Sequence, residues 1–189
     1  LMNNSSIFFF EKFYLYSQIK NFVWDFTYHE HYSYFTVGPL KKYFAKLGME
    51  IIDLEKNETK GGSIRFVLQL KGGKRKVKSI VNKFIKNEKD LKINTLSGLK
   101  KYEKKITTSR KNFSNFLKSK NIPAMVGYGA SATSTTLIYN YDLSSKLNYL
   151  VDDFKAKFNL YSPGEAIKVF DSKIIYKNIP DYILILAWR

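Results

Sequence analysis

The chain has 189 residues, a formal net charge of +16 and no cysteine. A chain of this length can bury a substantial core. The absence of cysteine excludes a disulfide framework and a thiolate zinc site, and it is typical of a cytoplasmic protein. No uncharged apolar run is long enough to cross a bilayer, so the sequence predicts no membrane span.

The first part of the chain predicts strands and one well-defined helix. Residues 6–10 are interpreted as a buried strand. A helix opens at Pro39, carries apolar residues at helical spacing and ends at Gly48. Two further strands are predicted at 49–54 and 63–70. In the second, apolar and polar residues alternate, which is typical of a strand with one buried face.

The positive charge is concentrated in the middle of the chain. Residues 71–120 contain 17 lysine and arginine residues against three acidic ones, a net charge of +14. Two helices with one apolar stripe each are predicted here, with a break near 94–98. A basic stripe can follow a phosphate backbone, but lysine-coated helix faces are commoner, so a nucleic-acid partner is not expected. A positive field also favours an anionic sugar nucleotide.

The last part of the chain predicts half of a Rossmann-like fold. A strand runs into the turn 127–131, and residues 132–141 form the helix behind it. A second strand, at 147–151, ends in Asp152, and a third, at 182–186, is apolar enough for the centre of a parallel sheet. Glycine lets the backbone approach a diphosphate, and a helix start favours anions. Ligands of such sheets lie at the carboxyl ends of strands.

Both histidines lie in one stretch, Tyr28-His29-Glu30-His31-Tyr32-Ser33-Tyr34-Phe35. Imidazole has an unperturbed pKa of about 6.5, so a positioned histidine can accept and return a proton near neutral pH. A purely structural histidine is the alternative. A His-x-His pair on a strand could also bind a metal, but no third ligand is evident nearby, so no metal is predicted.

This stretch, Gly61-Gly62-Ser63-Ile64-Arg65 and Gly127-Tyr128-Gly129-Ala130-Ser131-Ala132 resemble, in this order, the C-terminal part of SAM-dependent sugar C-methyltransferases. The resemblance covers nearly the whole chain and implies an α/β fold in three parts. Residues 1–71 would be the end of the SAM domain and carry the Tyr-His-Glu-His motif. Residues 72–120 would form a helical bridge, and residues 121–189 a C-terminally truncated Rossmann-like nucleotide-sugar-binding domain with a parallel sheet.

The resemblance also implies the chemistry. Tyr28, Glu30 and His31 occupy the family's active-site positions, with His31 as proton acceptor beside the ketone of a nucleotide-linked keto-deoxysugar. Glu30 would orient or charge-stabilise His31, and Tyr28 would hydrogen-bond the substrate or enolate oxygen. Which group is the base stays open at this stage. The implied substrate-binding residues are Gly127, Tyr128, Gly129, Ala130, Ser131, Asp152 and Lys157.

The resemblance implies that S-adenosyl-L-methionine is bound mainly by a region missing from this chain. The chain is then either a truncated product or one segment of a split enzyme with a separate SAM-binding chain, and we expect little methyl transfer from it alone. Its expected partner is a nucleotide-diphosphate sugar. Two alternatives remain: a noncatalytic nucleotide- or nucleic-acid-binding module derived from such an enzyme, and a fragment of a dinucleotide-dependent oxidoreductase, for which the glycine pattern is incomplete.

Overall fold

The computed structural model describes residues 2–188, and their contacts form two compact units. Unit 1 contains residues 2–24 and 33–104, and unit 2 contains residues 25–32 and 105–188. The short segment 25–32, which carries both histidines, therefore groups with the C-terminal part of the chain rather than with its neighbours in sequence. The predicted division at 71 and 120 stays a prediction.

Unit 1 contains a three-stranded antiparallel sheet. Its strands are β1 (Phe8–Phe13), β2 (Met49–Asn57) and β3 (Ser63–Leu70), in the order β1-β3-β2. Ile64, Phe66 and Leu68 of β3 are fully buried, as the predicted alternation requires. The predicted first strand is present, but it begins at Phe8, and the prediction that it is buried was wrong. Within residues 2–188, β1 is an edge strand that pairs only with β3, and Phe8 and Phe9 are 42% and 63% exposed.

The helices of the first 119 residues are α1 (Leu15–Asn21), α2 (Val37–Lys46), α3 (Ile80–Asp90) and α4 (Leu96–Ser119). The last two are the predicted lysine-rich helices, and the break between them lies at residues 91–95. α2 begins two residues before Pro39. The buried carboxylate of Glu88 accepts the backbone N–H groups of Val37 and Gly38 at 2.5 and 2.9 Å, which satisfies the start of this helix.

Unit 2 contains a four-stranded parallel sheet with one helix of ten residues. The elements are β4 (Met125–Tyr128), α5 (Ala132–Tyr141), β5 (Leu147–Asp152), β6 (Val169–Asp171), α6 (Ile174–Lys177) and β7 (Ile183–Ile185). The sheet order is β6-β5-β4-β7. Counted along the chain this is 3-2-1-4, the order in which a dinucleotide-binding sheet begins. The predicted α/β fold with a parallel sheet is confirmed.

The third predicted strand of this sheet has a different place from the one expected. The strand predicted at the apolar residues 182–186 is present as β7, but the prediction that it is central was wrong. β7 pairs only with β4, and within residues 2–188 no strand covers its other side. Ile183 and Ile185 are consequently 41% and 54% exposed. None of the helices described in residues 2–188 has the length and apolar character of a membrane span.

Candidate active site

The turn after β4 begins with two glycines that the packing of the sheet requires. A β-carbon on Gly127 would lie 2.5 Å from Cδ2 of Leu150 and 2.9 Å from Cδ1 of Leu186, both core side chains. Gly129 has a φ of +108°, and a β-carbon there would lie 2.7 Å from the backbone nitrogen of Ala187 and overlap its methyl group. The structure thus explains both glycines by packing, without a ligand.

The acidic end of β5 is bonded to this turn. Asp152, whose side chain is 13% exposed, accepts the backbone N–H of Ala130 at 2.8 Å and the ammonium of Lys157 at 2.8 Å. It also accepts the N–H of Phe154 at 2.9 Å. Burial by itself would raise the pKa of Asp152, but these hydrogen bonds to the ionised form outweigh it and lower the pKa. Asp152 is therefore charged at neutral pH and holds the turn in place.

The backbone N–H groups available to a ligand at this turn lie further along the chain than the two glycines predicted. The N–H of Gly129 donates to the carbonyl of Val151 at 2.7 Å, and that of Ala130 is taken by Asp152. The hydroxyl of Ser131 caps α5 by accepting the N–H of Ser134 at 3.1 Å. Among the described residues, no acceptor meets the N–H groups of the next positions, Ser131, Ala132 and Thr133. These three amides are the donors that remain for an anion.

A cavity of about 160 Å³ lies beside the start of α5. Its lining includes the polar side chains of Ser131 and Lys157 and the apolar side chains of Ala130, Ile138 and Leu150. The loop 160–163 closes another side. The volume equals that of about five liquid waters, which suits one phosphate group or one sugar ring. Whole-ligand sites are larger, about 300 Å³ or more.

The structure therefore brings three of the seven predicted substrate residues to the cavity: Ala130, Ser131 and Lys157. Asp152 does not line the cavity, but its carboxylate accepts hydrogen bonds from Ala130 and Lys157, which do. The hydroxyl of Tyr128 instead donates to Asp153 at 2.9 Å, and this hydrogen bond raises the pKa of Tyr128. These contacts do not test ligand binding, which stays a prediction.

The predicted catalytic residues lie in a tight turn. The N–H of His31 donates to the carbonyl of Tyr28 at 2.9 Å, which closes a four-residue turn. This turn brings the side chains of its first and fourth residues together, and Nε2 of His31 lies 3.0 Å from the hydroxyl of Tyr28. The ring of His31 is half-buried, so it is not sealed in an apolar interior.

The partner of His31 differs from the expected one. Glu30 was expected to orient or charge-stabilise His31, but its carboxylate is exposed and makes no hydrogen bond or ion pair with the described part of the chain. One observed partner of the His31 ring is the phenol of Tyr28. No group of three or more His, Cys, Asp or Glu side chains within residues 2–188 is arranged to hold a metal ion.

The hydrogen bonds that attach the segment 25–32 to the rest of unit 2 include one from Trp188 and one from Thr136. The indole N–H of Trp188 donates to the buried carboxylate of Asp25 at 3.1 Å, and the hydroxyl of Thr136 on α5 donates to the carbonyl of Thr27 at 3.3 Å. Sequence analysis missed these residues. No local pattern could have indicated them, because the pairs are 163 and 109 positions apart.

The sheet order, the turn after its first strand and the acidic end of its second strand define unit 2 as a Rossmann-like α/β domain. A family model described as the C-methyltransferase C-terminal domain matches residues 58–189, and the chain belongs to this family. The chain is also similar to the C-methyltransferase NovU of Streptomyces niveus. The two are 25% identical over 192 residues, which cover 100% of this chain and 46% of that protein.

The chain thus spans about half the length of this curated relative. The resemblance to C-methyltransferases noted in the sequence is confirmed. Membership of this family gives the chain a methyltransferase-related role.

Proposed function

We propose that this chain is the substrate-binding and active-site portion of a SAM-dependent C-methyltransferase that acts on a nucleotide-linked keto-deoxysugar. Family membership supports methyl transfer. The observation that carries the rest is that unit 2 contains both a cavity beside free helix amides and a histidine bonded to a tyrosine. SAM would be held mainly by residues outside this chain, either in a longer form of the protein or in a separate chain.

The cavity is the proposed binding site for part of the sugar nucleotide. The N–H groups of Ser131, Ala132 and Thr133 point from a helix start, where the partial positive charge favours a phosphate. Lys157 adds a positive charge at the same cavity, which the carboxylate of Asp152 offsets in this structure. Because Lys157 is bonded to Asp152 in this structure, its ammonium is already oriented towards the turn. The cavity takes one phosphate-containing part of the ligand, and the remainder lies outside it.

The pair formed by Tyr28 and His31 suits proton removal beside a ketone. In the tautomer with an unprotonated Nε2, the phenol of Tyr28 donates to it. When the ketone oxygen of the substrate takes over this phenol as acceptor, the lone pair of Nε2 becomes free. His31 then accepts the proton from the adjacent carbon, and the phenol stabilises the enolate oxygen. SAM, when bound, supplies the methyl group that this carbon acquires.

Calorimetric titration with a thymidine-diphosphate sugar tests the binding half. We expect the wild-type chain to bind and Lys157→Met to weaken binding about tenfold, because a charge-assisted contact is lost. Lys155→Met is the matched control, since Lys155 lies exposed in the same short turn and does not line the cavity. Absence of binding by the wild-type chain to any nucleotide diphosphate sugar would refute this half.

Solvent deuterium exchange tests the catalytic half without any methyl donor. The carbon beside the ketone of a bound keto-sugar nucleotide should exchange its proton in deuterated water, as followed by NMR. We expect His31→Gln to slow exchange by about 10² to 10⁴, the usual contribution of a positioned base. His29→Gln is the control, because His29 is exposed. Binding without exchange would remove the catalytic role of His31 and leave the binding role intact.

The second candidate function is that of a noncatalytic polyanion-binding module. A groove of about 980 Å³ in unit 2 is lined by Lys111 and Lys118 of α4 and by Lys146. None of these lysines forms an ion pair with a described residue, whereas Arg110 in the same groove pairs with Asp142. Binding to random single-stranded DNA with a steep salt dependence, reduced by Lys111→Gln with Lys118→Gln, would favour this function. Indifference to sugar nucleotides is the second requirement.

A further inference from the structure

We infer that the hydrogen bond between Trp188 and Asp25 positions His31 relative to the turn 127–131. The inference rests on the proposed function. It assigns to Trp188 and Asp25 a role in placing the proposed base, His31, next to the proposed substrate-binding turn 127–131. We do not propose that Trp188 or Asp25 contacts the substrate. They are positioning residues that act through the segment 25–32.

The chain that follows β7 is bonded to the turn that follows β4. The N–H groups of Leu186 and Ala187 both donate to the carbonyl of Tyr128, at 2.8 and 3.0 Å. Ala187 also packs so closely on Gly129 that no β-carbon fits there. Residues 186 and 187 are therefore fixed directly to the turn after β4.

The next residue, Trp188, bonds to the segment 25–32. Trp188 donates its indole N–H to Oδ2 of Asp25 at 3.1 Å. Asp25 is only 2% exposed, so its carboxylate depends on such donors in place of water. Three consecutive residues, 186–188, thus connect the turn 127–131 with the segment that carries His31.

Thr136 on α5 also bonds to this segment. The hydroxyl of Thr136 reaches the carbonyl of Thr27 at 3.3 Å, but it also lies 3.2 Å from the carbonyl of Ala132 in its own helix. Because this hydroxyl proton is shared between two carbonyls, its bond to Thr27 is weak. The bond from Trp188 ends on a carboxylate and is the stronger of these two. It therefore holds the start of the segment 25–32, and with it the turn from Tyr28 to His31, against residues 186–188.

The test uses the two imidazole rings as reporters in the ligand-free chain. Trp188→Phe keeps an aromatic ring and removes only the indole donor, so we expect the ring ¹⁵N and ¹³C signals of His31 to shift and broaden. Asp25→Asn keeps an acceptor oxygen but removes the charge, so we expect a smaller shift of these signals than in Trp188→Phe. Tyr182→Phe is the matched control, because its hydroxyl has no partner in the described part of the chain. Exposed His29 provides the internal reference.

The kinetic readout is the deuterium exchange described above. We expect Trp188→Phe to lower the maximal exchange rate about 10- to 100-fold, as a misplaced base does, with the concentration dependence on sugar nucleotide unchanged within about twofold. A fall in affinity with an unchanged maximal rate would overturn the positioning role, and so would unshifted His31 signals. If the wild-type chain binds no sugar nucleotide or shows no exchange, the proposed function fails. The His31 signals then still show whether the hydrogen bond between Trp188 and Asp25 positions His31.

Discussion

The carboxylate of Asp152 accepts the backbone N–H of Ala130 at 2.8 Å, so the end of one strand is bonded to the turn that follows its neighbour. The same carboxylate binds Lys157. Its ionised form is favoured in the folded chain, and its pKa lies below the usual value. The stabilisation is complete above the unfolded pKa of about 4 and is lost as the pH falls through the lower folded pKa.

We therefore predict that Asp152→Asn lowers the stability of unit 2 by about 1–3 kcal/mol at neutral pH, the range for hydrogen bonds to charged groups. The difference from wild type should shrink as the pH falls below about 4. Amide hydrogen exchange of β4 and β5 measures it. Asp181→Asn is the control, because Asp181 is exposed and has no bonded partner in the described residues. A difference that is independent of pH would contradict the prediction.

Replacement of Gly129 by alanine tests whether packing explains this glycine. Gly129 and Gly72 both have a positive φ, of +108° and +79°, but only Gly129 faces another residue at close range. Gly72→Ala should cost about 1–2 kcal/mol, from backbone strain alone. Gly129→Ala should cost about 1–3 kcal/mol more, because its methyl group overlaps Ala187.

Hydrogen exchange in each unit measures these two costs separately, without requiring both units to unfold together. Equal costs would mean that the chain after β7 moves aside freely. Loss of sugar-nucleotide binding in Gly129→Ala would not identify a ligand contact, because the same substitution displaces residues that attach the segment 25–32.

Removal of the phenol of Tyr28 tests its role as the partner of His31. In Tyr28→Phe, we expect the Nε2 signal of His31 to shift in long-range ¹H–¹⁵N spectra, because its 3.0 Å hydrogen bond disappears. The stability of unit 2 should fall by no more than about 1 kcal/mol, since both side chains are only half-buried. Tyr32→Phe is the control, as Tyr32 is 90% exposed. An unchanged Nε2 signal would argue against the pairing in solution.

The buried pair of Tyr14 and Glu88 predicts that the folding stability of unit 1 falls at alkaline pH. Tyr14 donates its hydroxyl proton to Glu88 at 3.0 Å. Burial, followed by the negative charge of Glu88, raises the pKa of Tyr14. The folded chain therefore keeps a proton that the unfolded chain releases above about pH 10, so this contribution is complete below that pH and is lost above it.

Urea unfolding of unit 1 between about pH 9 and 11 measures this effect, which can reach about 1.4 kcal/mol per pH unit for one proton. Tyr14→Phe should flatten the pH dependence while lowering stability at neutral pH, because Glu88 loses a donor. Tyr43→Phe should retain the wild-type pH dependence, since Tyr43 lies in the same unit and is 57% exposed. Identical slopes in all three proteins would show that Tyr14 ionises without cost.

The sequence predicted those elements whose signal is local. β3 and α5 have the predicted bounds, because alternation and a serine cap act over a few residues. The sequence could not distinguish a central from an edge strand in β7, since apolar composition is compatible with both. That distinction depends on which strands pair, and pairing is decided by contacts between residues far apart in sequence.

The chain by itself determined the family, the parallel sheet and the residue types available for proton transfer. The tertiary structure alone decided how they combine. It placed Asp25 on Trp188, Glu88 on the start of α2 and Asp152 on the turn after β4. The reason is physical: a buried carboxylate must find hydrogen-bond donors wherever folding brings them, and their distance along the chain leaves no pattern in the sequence.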